Sequence, residues 1–290
     1  LVVSQESGAS WVMYQGDCID VLKGIGDESI DFSVFSPPFA SLFTYSHSDR
    51  DMGNCEDDAT FFESFRFLVK ELYRVIKPGR LVSVHCMNLV STKTNQGYIG
   101  LRDFRGEVIR SFVDLDWIYH SEVCIWKCPV VAMQRTKSIG LLHKQLCKDS
   151  SLSRQGLPDY VCTFRKPGDN SDPITGGLSD WRGDDSFRST GNLSIDIWQK
   201  YASPVWSDID QTRTLNARLA REEADERHMC PLQLDVIERC IQLWSNEGDV
   251  VLSPFAGVGS EGVGALSLDR KFVGVELKES YFEHACNFLR

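Results

Sequence analysis

The sequence contains no long hydrophobic run, no closely paired cysteines and no overall excess of basic charge. None of its apolar runs approaches the roughly 20 residues that a membrane-spanning helix needs, so a membrane-spanning protein is excluded. The first ten residues lack a basic start followed by a long apolar stretch, and we therefore expect no signal peptide. These absences together predict a cytoplasmic protein.

Cysteine is present but carries no metal-site pattern. The ten cysteines are scattered from Cys18 to Cys286, and none of them stands in a Cys-x-x-Cys pair. Structural zinc sites commonly use such pairs at fixed spacing, so we expect no metal site. Scattered cysteines in a chain of this size indicate reduced, buried thiols in a cytoplasm.

The charge of the chain is uneven. A net charge of −10 argues against a general binder of polyanions. Residues 124–166 nevertheless carry eight basic residues against two acidic ones. Such a segment fits either a focused contact with phosphates or an ordinary solvated face. The candidate phosphate contacts are Lys127, Arg135, Lys137, Lys144, Lys148 and Arg154.

Hydrophobic patterning predicts alternating strands and helices. Apolar runs indicate strands at residues 30–35, 81–84, 119–126, 250–252 and 272–275. Apolar residues at helical spacing indicate helices at residues 18–23, 61–76, 104–115, 232–244 and 280–289. Alternation of this kind predicts an α/β fold with a doubly wound, mostly parallel sheet.

The regular pattern is lost between residues 127 and 227. One strand, at residues 160–164, is the exception that we predict there. The region also contains Trp181, Trp198 and Trp206, for which packing in a small domain is the simplest interpretation. The chain therefore divides into residues 1–126, an irregular insertion at 127–227, and residues 228–290.

A glycine-rich turn follows the predicted strand at residues 250–252. Glycines allow the backbone to approach a ligand closely, and the helix that follows offers free N–H groups. A second strand ends at Glu276, 19 residues after Gly257, where a carboxylate can accept hydrogen bonds from ribose hydroxyls. This order predicts a nucleoside cofactor. The spacing of Gly257, Gly259 and Gly262 also fits a dinucleotide site, so the turn alone leaves NAD open.

The tetrapeptide Ser36-Pro37-Pro38-Phe39 follows the predicted strand at residues 30–35. It therefore lies at the carboxyl edge of the sheet, where α/β proteins bind their substrates. Ser36 Oγ and the Pro37 carbonyl can accept hydrogen bonds from an amino group, and the prolines hold these acceptors in place. Phe39 offers a flat face to a planar ring. A turn that merely packs an aromatic side chain is the competing interpretation.

These residues suit transfer of a methyl group to an aromatic amine. The lone pair of such an amine is delocalised into the ring, and two acceptors around the NH₂ group favour a more tetrahedral nitrogen. A base in a duplex cannot reach this pocket, so it has to be flipped out, with Phe39 as the stacking surface. Because this chemistry needs no dedicated base, we predict structural roles for His47 and His85.

The two motifs together resemble those of the DNA amino-methyltransferases. Residues 36–39 are similar to the family's (Asp/Asn/Ser)-Pro-Pro-(Tyr/Phe/Trp) motif, and residues 255–259 to its Phe-x-Gly-x-Gly motif. The resemblance implies S-adenosylmethionine as the cofactor. It assigns the catalytic motif to Ser36, Pro37, Pro38 and Phe39. It assigns cofactor contacts to Asp17, Cys18, His228, Pro231, Ser253, Pro254, Phe255, Gly257, Gly259, Ser260 and Glu276.

The order of the motifs resembles the permuted β group of this family, in which the catalytic motif precedes the cofactor motif. In that group the irregular middle part recognises the target, which here corresponds to residues 127–227. The implied partner is double-stranded DNA. A cognate restriction endonuclease that acts separately is a further partner that the resemblance allows, with a role in restriction-modification.

Two positions depart from the commoner pattern of the family. Ser253 stands where aspartate is more frequent, which puts one cofactor contact in question. Ser36 replaces an aspartate, and serine there favours N4 of cytosine slightly over N6 of adenine. The sequence has no Pro-Cys dipeptide, as C5-methylation of cytosine would require. An RNA or protein amino-methyltransferase, a non-catalytic nucleic-acid-binding relative and a nicotinamide dehydrogenase are the remaining alternatives.

Overall fold

The computed structural model describes residues 2–38, 52, 55, 57–175, 178–179, 193–215 and 232–290. Of the predicted site residues, Phe39, His228 and Pro231 lie outside these ranges, as do His47 and Trp181. Within the described ranges, no helix combines the length and apolar character needed to cross a membrane.

Strands and helices alternate along most of the chain. The strands are β1 (Val2–Ser7), β2 (Trp11–Gly16), β3 (Ile30–Phe35), β4 (Ile76–Cys86), β5 (Leu89–Ser91), β6 (Gly100–Arg102), β7 (Ile118–Ile125), β8 (Asp159–Arg165), β9 (Leu178–Ser179), β10 (Leu193–Ser194), β11 (Val205–Trp206), β12 (Val250–Ser253) and β13 (Lys271–Glu276). The helices are α1 (Cys18–Leu22), α2 (Asp58–Val75), α3 (Lys93–Gln96), α4 (Phe104–Val113), α5 (Pro129–Thr136), α6 (His143–Lys148), α7 (Ile195–Tyr201), α8 (Leu234–Trp244), α9 (Ser260–Leu266) and α10 (Glu279–Leu289).

The main sheet has the strand order β1-β2-β13-β12-β3-β4-β8-β7-β11. Neighbours among β2, β13, β12, β3 and β4 are parallel, whereas β8 runs antiparallel to both β4 and β7. The chain leaves the central pair β12 and β3 in opposite directions, through α9 to β13 and through α2 to β4. In open α/β sheets, ligands bind outside the strand ends at such a switch point.

Burial explains why the central strands and helices form where they do. Every residue of β3 is buried, as expected of a strand covered on both faces. Helix α2 buries one side of its surface, formed by Phe61, Phe62, Phe65, Leu68, Val69, Leu72 and Val75. This face packs with α1 and α4 on one side of the sheet. Helices α8, α9 and α10 pack on the other side, so the doubly wound fold is confirmed.

The structure differs from the sequence prediction in three places. The edge strand β1 was not predicted, because nearly all of its residues are exposed. The segment Lys77-Pro78-Gly79 is typical of a helix stop, but the helix ends at Val75 and the segment lies inside β4. Residues 127–227 contain α5, α6, α7 and β11 and are more regular than predicted.

A buried ion cluster joins three segments at the amino-terminal edge of the central strands, away from the edge that carries the candidate motifs. Arg80 Nη2 lies 3.3 Å from Asp31 Oδ1 and 3.0 Å from Asp249 Oδ2, and all three side chains are more than nine-tenths buried. Asp31 also accepts a hydrogen bond from the Val250 N–H, at 2.9 Å. The cluster therefore fixes β3, β4 and β12 relative to one another.

Candidate functional site

The candidate residues lie at the carboxyl edge of the five parallel strands. Asp17 follows β2, Glu276 ends β13, and Phe255 follows β12 by two residues. Ser36 follows β3, and His85 is the penultimate residue of β4. The sheet thus brings together motifs that are separated by more than 200 residues in the sequence.

The glycine turn after β12 depends on left-handed backbone conformations. Gly257 has φ +53° and Gly259 has φ +91°, in the region that side chains with a Cβ rarely adopt. A Cβ on Gly259 would also lie 3.2 Å from both the Cα and the Cβ of Ala285. The turn therefore closes tightly against α10, and α9 begins directly after it.

Glu276 connects this turn to the end of β13. Its Oε2 accepts a hydrogen bond from the Gly257 N–H, and its Oε1 accepts one from the Lys278 N–H, both at 2.9 Å. A carboxylate has about four lone-pair sites, so accepting these two hydrogen bonds does not by itself prevent Glu276 from binding a ligand hydroxyl. The acid is consequently held in a fixed orientation beside the turn.

Two features of this turn fit a bound ligand. The Oγ of Ser253 is buried and has no hydrogen-bond partner within the described ranges. A buried hydroxyl without a partner is costly, and a ligand can satisfy it. A Cβ on Gly257 would meet no atom within 4 Å, so the space in front of this residue is open. These residues accommodate the predicted nucleoside cofactor.

The segment after β2 closes the other side of this edge. The Asp17 side chain accepts a hydrogen bond from the Asp20 N–H at 3.0 Å and thereby caps helix α1. Cys18 is buried, and burial, followed by the nearby Asp17 charge, raises the pKa of its thiol far above the ordinary value. Its sulfur therefore stays protonated and is not a nucleophile.

An aromatic contact links the cofactor motif to the catalytic motif. The rings of Phe255 and Phe35 lie with their centroids 5.7 Å apart. Phe35 is fully buried and directly precedes Ser36, which is half-buried, and Pro37, which is buried. Because β12 and β3 are neighbours, the two motifs emerge side by side from the sheet.

Ser36 is connected to three further polar side chains. Ser36 Oγ lies 3.1 Å from His85 Nδ1, and His85 Nε2 lies 3.0 Å from Asp159 Oδ2. The same carboxylate oxygen forms an ion pair with Lys127 Nζ. No sequence pattern indicates this connection, because its members come from separate strands and the loops that follow them. His85, for which we predicted a structural role, thus lies beside the catalytic motif.

The predicted phosphate contacts do not form one uniform group. Lys137, Lys144 and Lys148 are exposed on or next to α5 and α6. Arg154 is half-buried and donates hydrogen bonds to Ser138 Oγ at 2.8 Å and to the carbonyl oxygen of residue 155 at 3.0 Å. Lys127 is engaged with Asp159, and Arg135 lies on α5. Three lysines are therefore presented to solvent in this region.

Two of the tryptophans of the inserted region can be placed. Trp206 is fully buried, donates to the Tyr201 carbonyl at 3.2 Å and stacks under the Arg239 guanidinium. It is a packing residue, but it belongs to the core of the main sheet rather than to a small separate domain. Trp198 is 44% exposed on α7, so packing accounts for only part of its surface. Within the described ranges, no group of His, Cys, Asp and Glu side chains could hold a metal ion.

Glu261, in the first turn of α9, gives a pH-dependent prediction. Burial raises the pKa of its carboxyl from 4.5 to about 8, and Glu276 adds to this shift. The unfolded carboxyl loses its proton near 4.5, so this group lowers the stability progressively as the pH rises from 4.5 to about 8. In Glu261→Gln this loss is absent. We expect its free energy of unfolding to exceed that of the wild type increasingly with pH, by on the order of 4 kcal/mol at pH 8.5.

Urea denaturation of both proteins at pH 5.5, 7 and 8.5 measures this difference. The exposed Glu63→Gln on α2 is the matched control, in which the same substitution is made outside the core. A constant difference between Glu261→Gln and the wild type at all three pH values would contradict the raised pKa.

An open parallel sheet with this glycine turn and acid at its carboxyl edge has the fold of the S-adenosylmethionine-dependent methyltransferases. The chain belongs to the N6/N4 DNA methylase family, whose sequence profile matches residues 30–287. This match confirms the resemblance that the catalytic and cofactor motifs indicated.

Comparison with individual proteins agrees with this assignment. The chain is 24% identical over 267 residues to the type II methyltransferase M.BamHI of Bacillus amyloliquefaciens. That match covers 91% of this chain and 54% of M.BamHI, so the chain spans about half the length of that relative.

Two solved structures share the fold. The structure of TTHA0409 from Thermus thermophilus, complexed with S-adenosyl-L-methionine, has a TM-score of 0.69 at 20% identity and covers 94% of this chain and 90% of that chain. The PvuII DNA methyltransferase, described as cytosine-N4-specific, has a TM-score of 0.65 at 18% identity. That match covers 100% of this chain and 90% of the PvuII enzyme, which confirms the fold class.

Proposed function

We propose that this protein transfers a methyl group from S-adenosylmethionine to the exocyclic amino group of a base in double-stranded DNA, with N4 of cytosine as the favoured position. The observation that carries the proposal is the contact between the two motifs. Phe255 of the cofactor motif packs against Phe35, the residue that precedes Ser36. Ser36 and Pro37, which offer the acceptors for an amino group, therefore lie next to the glycine turn at one edge of the sheet.

The cofactor would be held by residues from β2, β12 and β13. Glu276 offers acceptors to the ribose hydroxyls. Ser253 Oγ is a buried hydroxyl without a hydrogen-bond partner within the described ranges, and the backbone at Gly257 faces open space. Asp17 and Cys18 border the same edge. When bound, S-adenosylmethionine supplies an electrophilic methyl group on a positively charged sulfur.

The chain's own groups prepare the amino nitrogen. Ser36 Oγ and the Pro37 carbonyl are both acceptors, and together they can bind the two N–H groups of an exocyclic amine. Binding both hydrogens favours a tetrahedral nitrogen with an exposed lone pair. The base reaches this place only when it is flipped out of the duplex, and Phe39 stays a prediction for the stacking surface.

We propose residues 127–227 as the region that recognises the DNA target. The exposed Lys137, Lys144 and Lys148 are the candidate phosphate contacts, since Lys127 is paired with Asp159. The proposal places the protein in the cytoplasm of a bacterium or of a phage-infected cell. A separate restriction endonuclease is the further partner that we propose from the family resemblance.

The product nucleoside tests this proposal. Unmethylated DNA is incubated with the protein and isotopically labelled S-adenosylmethionine, digested to nucleosides and separated by mass. We expect labelled N4-methylcytosine. For Ser36→Ala we expect a rate about 100-fold lower, because one of the two acceptors is removed, at an unchanged affinity for S-adenosylmethionine.

The exposed Ser267→Ala, at the end of α9, is the matched control and should methylate like the wild type. Labelled N6-methyladenine would show that adenine is the target and that Ser36 does not dictate the base. No labelled nucleoside from DNA of varied sequence, with cofactor binding intact, would contradict the proposed function.

A further inference from the structure

Ser36 is the first member of a buried chain of hydrogen bonds that ends at a lysine. The chain runs from Ser36 Oγ through both ring nitrogens of His85 to Asp159 Oδ2, and Lys127 contacts the same oxygen. The His85 and Asp159 side chains are 9% and 2% exposed. Ser36 and Pro37 alone supply the two acceptors that methylation of an amino group requires. The presence of His85, Asp159 and Lys127 in this series of hydrogen bonds therefore needs a separate explanation.

The protonation state of Asp159 fixes the direction of every hydrogen bond in the chain. Burial would raise the pKa of Asp159, but the hydrogen bond from His85 and the charge of Lys127 act in the opposite direction, and that pKa lies below its ordinary value. An ionised carboxylate can only accept, so the hydrogen of neutral His85 lies on Nε2. The lone pair on Nδ1 then accepts the hydroxyl hydrogen of Ser36.

This direction leaves the lone pairs of Ser36 Oγ for the target. A free serine hydroxyl rotates, and its hydrogen can turn towards the amino nitrogen and compete for the lone pair that has to react. With the hydrogen held by His85 Nδ1, Ser36 acts as an acceptor towards the amino group.

We propose that His85 is a positioning residue for Ser36 and that the chain Ser36–His85–Asp159 carries away the proton released by the methylated amino group. The inference rests on the proposed function and extends it to residues outside the two motifs. Asp159 and Lys127 set the orientation and the charge of the imidazole.

The proton transfer balances without a further reactant. After methylation the amino nitrogen has four bonds and a positive charge. One of its N–H bonds breaks, its electron pair returns to nitrogen, and an O–H bond forms at Ser36 Oγ. The original Ser36 O–H bond breaks as an N–H bond forms at His85 Nδ1. The resulting imidazolium is paired with the ionised Asp159 and later releases its proton to water.

Several charged or titratable groups surround the imidazole. Asp159 on β8 and Lys127 after β7 lie on the same face of the sheet as His85. Three other titratable side chains lie on the opposite face of the sheet, which packs against α1, α2 and α4. They are Cys86, Cys162 and Glu122. Asp159 is the carboxylate that pairs with the imidazolium once the proton has been transferred, and Lys127 contacts the same carboxylate oxygen.

His85→Gln tests the proposal through the single-turnover rate of methylation at pH 8. The amide of glutamine can still contact Ser36 Oγ, but it cannot take up the proton that Ser36 passes on. We expect a rate about 30-fold lower than that of the wild type. A variant that keeps the wild-type rate would overturn the proposal.

Two matched variants separate this effect from a structural one. His120→Gln makes the same substitution in an exposed histidine whose Nδ1 lies 2.9 Å from Ser121 Oγ, and it should behave like the wild type. In a Ser36→Ala background, His85→Gln should lower the rate less than about twofold, because His85 acts through Ser36. A full additional 30-fold loss in that background would overturn the proposal.

A readout independent of activity is the tautomer of His85, measured by ¹⁵N NMR of the histidine side chains without cofactor or DNA. We expect hydrogen on Nε2, and loss of this preference in Asp159→Asn. Hydrogen on Nδ1 would overturn the proposed positioning even in a protein that methylates DNA. If the tautomer is as expected but the wild type methylates no DNA, the proposed function fails, and the proton path fails with it.

Discussion

Replacing Glu276 with alanine is expected to raise the dissociation constant for S-adenosylmethionine by about 100-fold, which corresponds to about 2.7 kcal/mol. The substitution removes the proposed acceptors for the ribose hydroxyls. It also removes the oxygens that bind the Gly257 and Lys278 N–H groups, so the glycine turn loses its attachment to β13. Hydrogen bonds to a charged acceptor each contribute about 1.5–3 kcal/mol, which supports an effect of this size.

Isothermal titration calorimetry with wild type and variant measures the change. Glu279→Ala is the matched control, because Glu279 is an exposed acid three residues further along the same segment, and its affinity should stay within twofold. A Glu276→Ala affinity within threefold of the wild type would show that Glu276 does not bind the cofactor. Thermal denaturation in parallel reports whether the turn itself has been lost.

Arg80→Met is expected to lower the free energy of unfolding by about 3–5 kcal/mol. The change leaves Asp31 and Asp249 buried next to each other without the guanidinium that lies between them. Asp31 keeps Lys77 as a partner at 2.6 Å, but Asp249 loses its closest cation, and burial already raises the pKa of Asp249. Removing one member of a buried ion cluster costs more than removing a surface pair because the remaining charges stay desolvated.

Urea denaturation at pH 7.5 measures this loss. Arg66→Met is the matched control, because Arg66 and Asp114 form a pair 3.6 Å apart in which both side chains are about half exposed. Exposed pairs contribute less than about 1 kcal/mol, so this variant should unfold almost like the wild type. If Arg80→Met and Arg66→Met lower the free energy of unfolding by the same amount, the buried cluster contributes no more to stability than an exposed ion pair.

Much of the fold could be predicted from the sequence because burial imposes clear periods on it. The strand predicted at residues 30–35 coincides with β3, in which every residue is buried. The helix predicted at residues 61–76 matches α2 to within three residues at each end, and the buried positions of α2 recur at helical spacing. The glycine turn was recognisable because it directly follows a buried strand, and Glu276 because it ends the next strand.

Other features could not be predicted because they depend on pairing between distant strands. The contact between His85 and Asp159 exists because β8 runs antiparallel to β4, and residues 74 positions apart meet at the edge. No local pattern marks this register. The basic character of Lys127 suggested a phosphate contact, yet its ammonium lies against Asp159. The roles assigned to the site residues remain predictions, and three of these residues, Phe39, His228 and Pro231, lie outside the described ranges.

The position of β8 limits how the DNA target that we propose for this protein could be altered. The inserted region at residues 127–227 is not a detachable module, since β8 lies between β4 and β7 in the main sheet and β11 extends its edge. Exchanging the whole region with that of a relative would remove Asp159 and two strands of the catalytic sheet. For the recognition role that we propose for this region, the segments between these strands, residues 128–158 and 166–204, can be exchanged without removing a strand of the main sheet. A recombinant enzyme with altered specificity therefore has to be joined inside the region rather than at its ends.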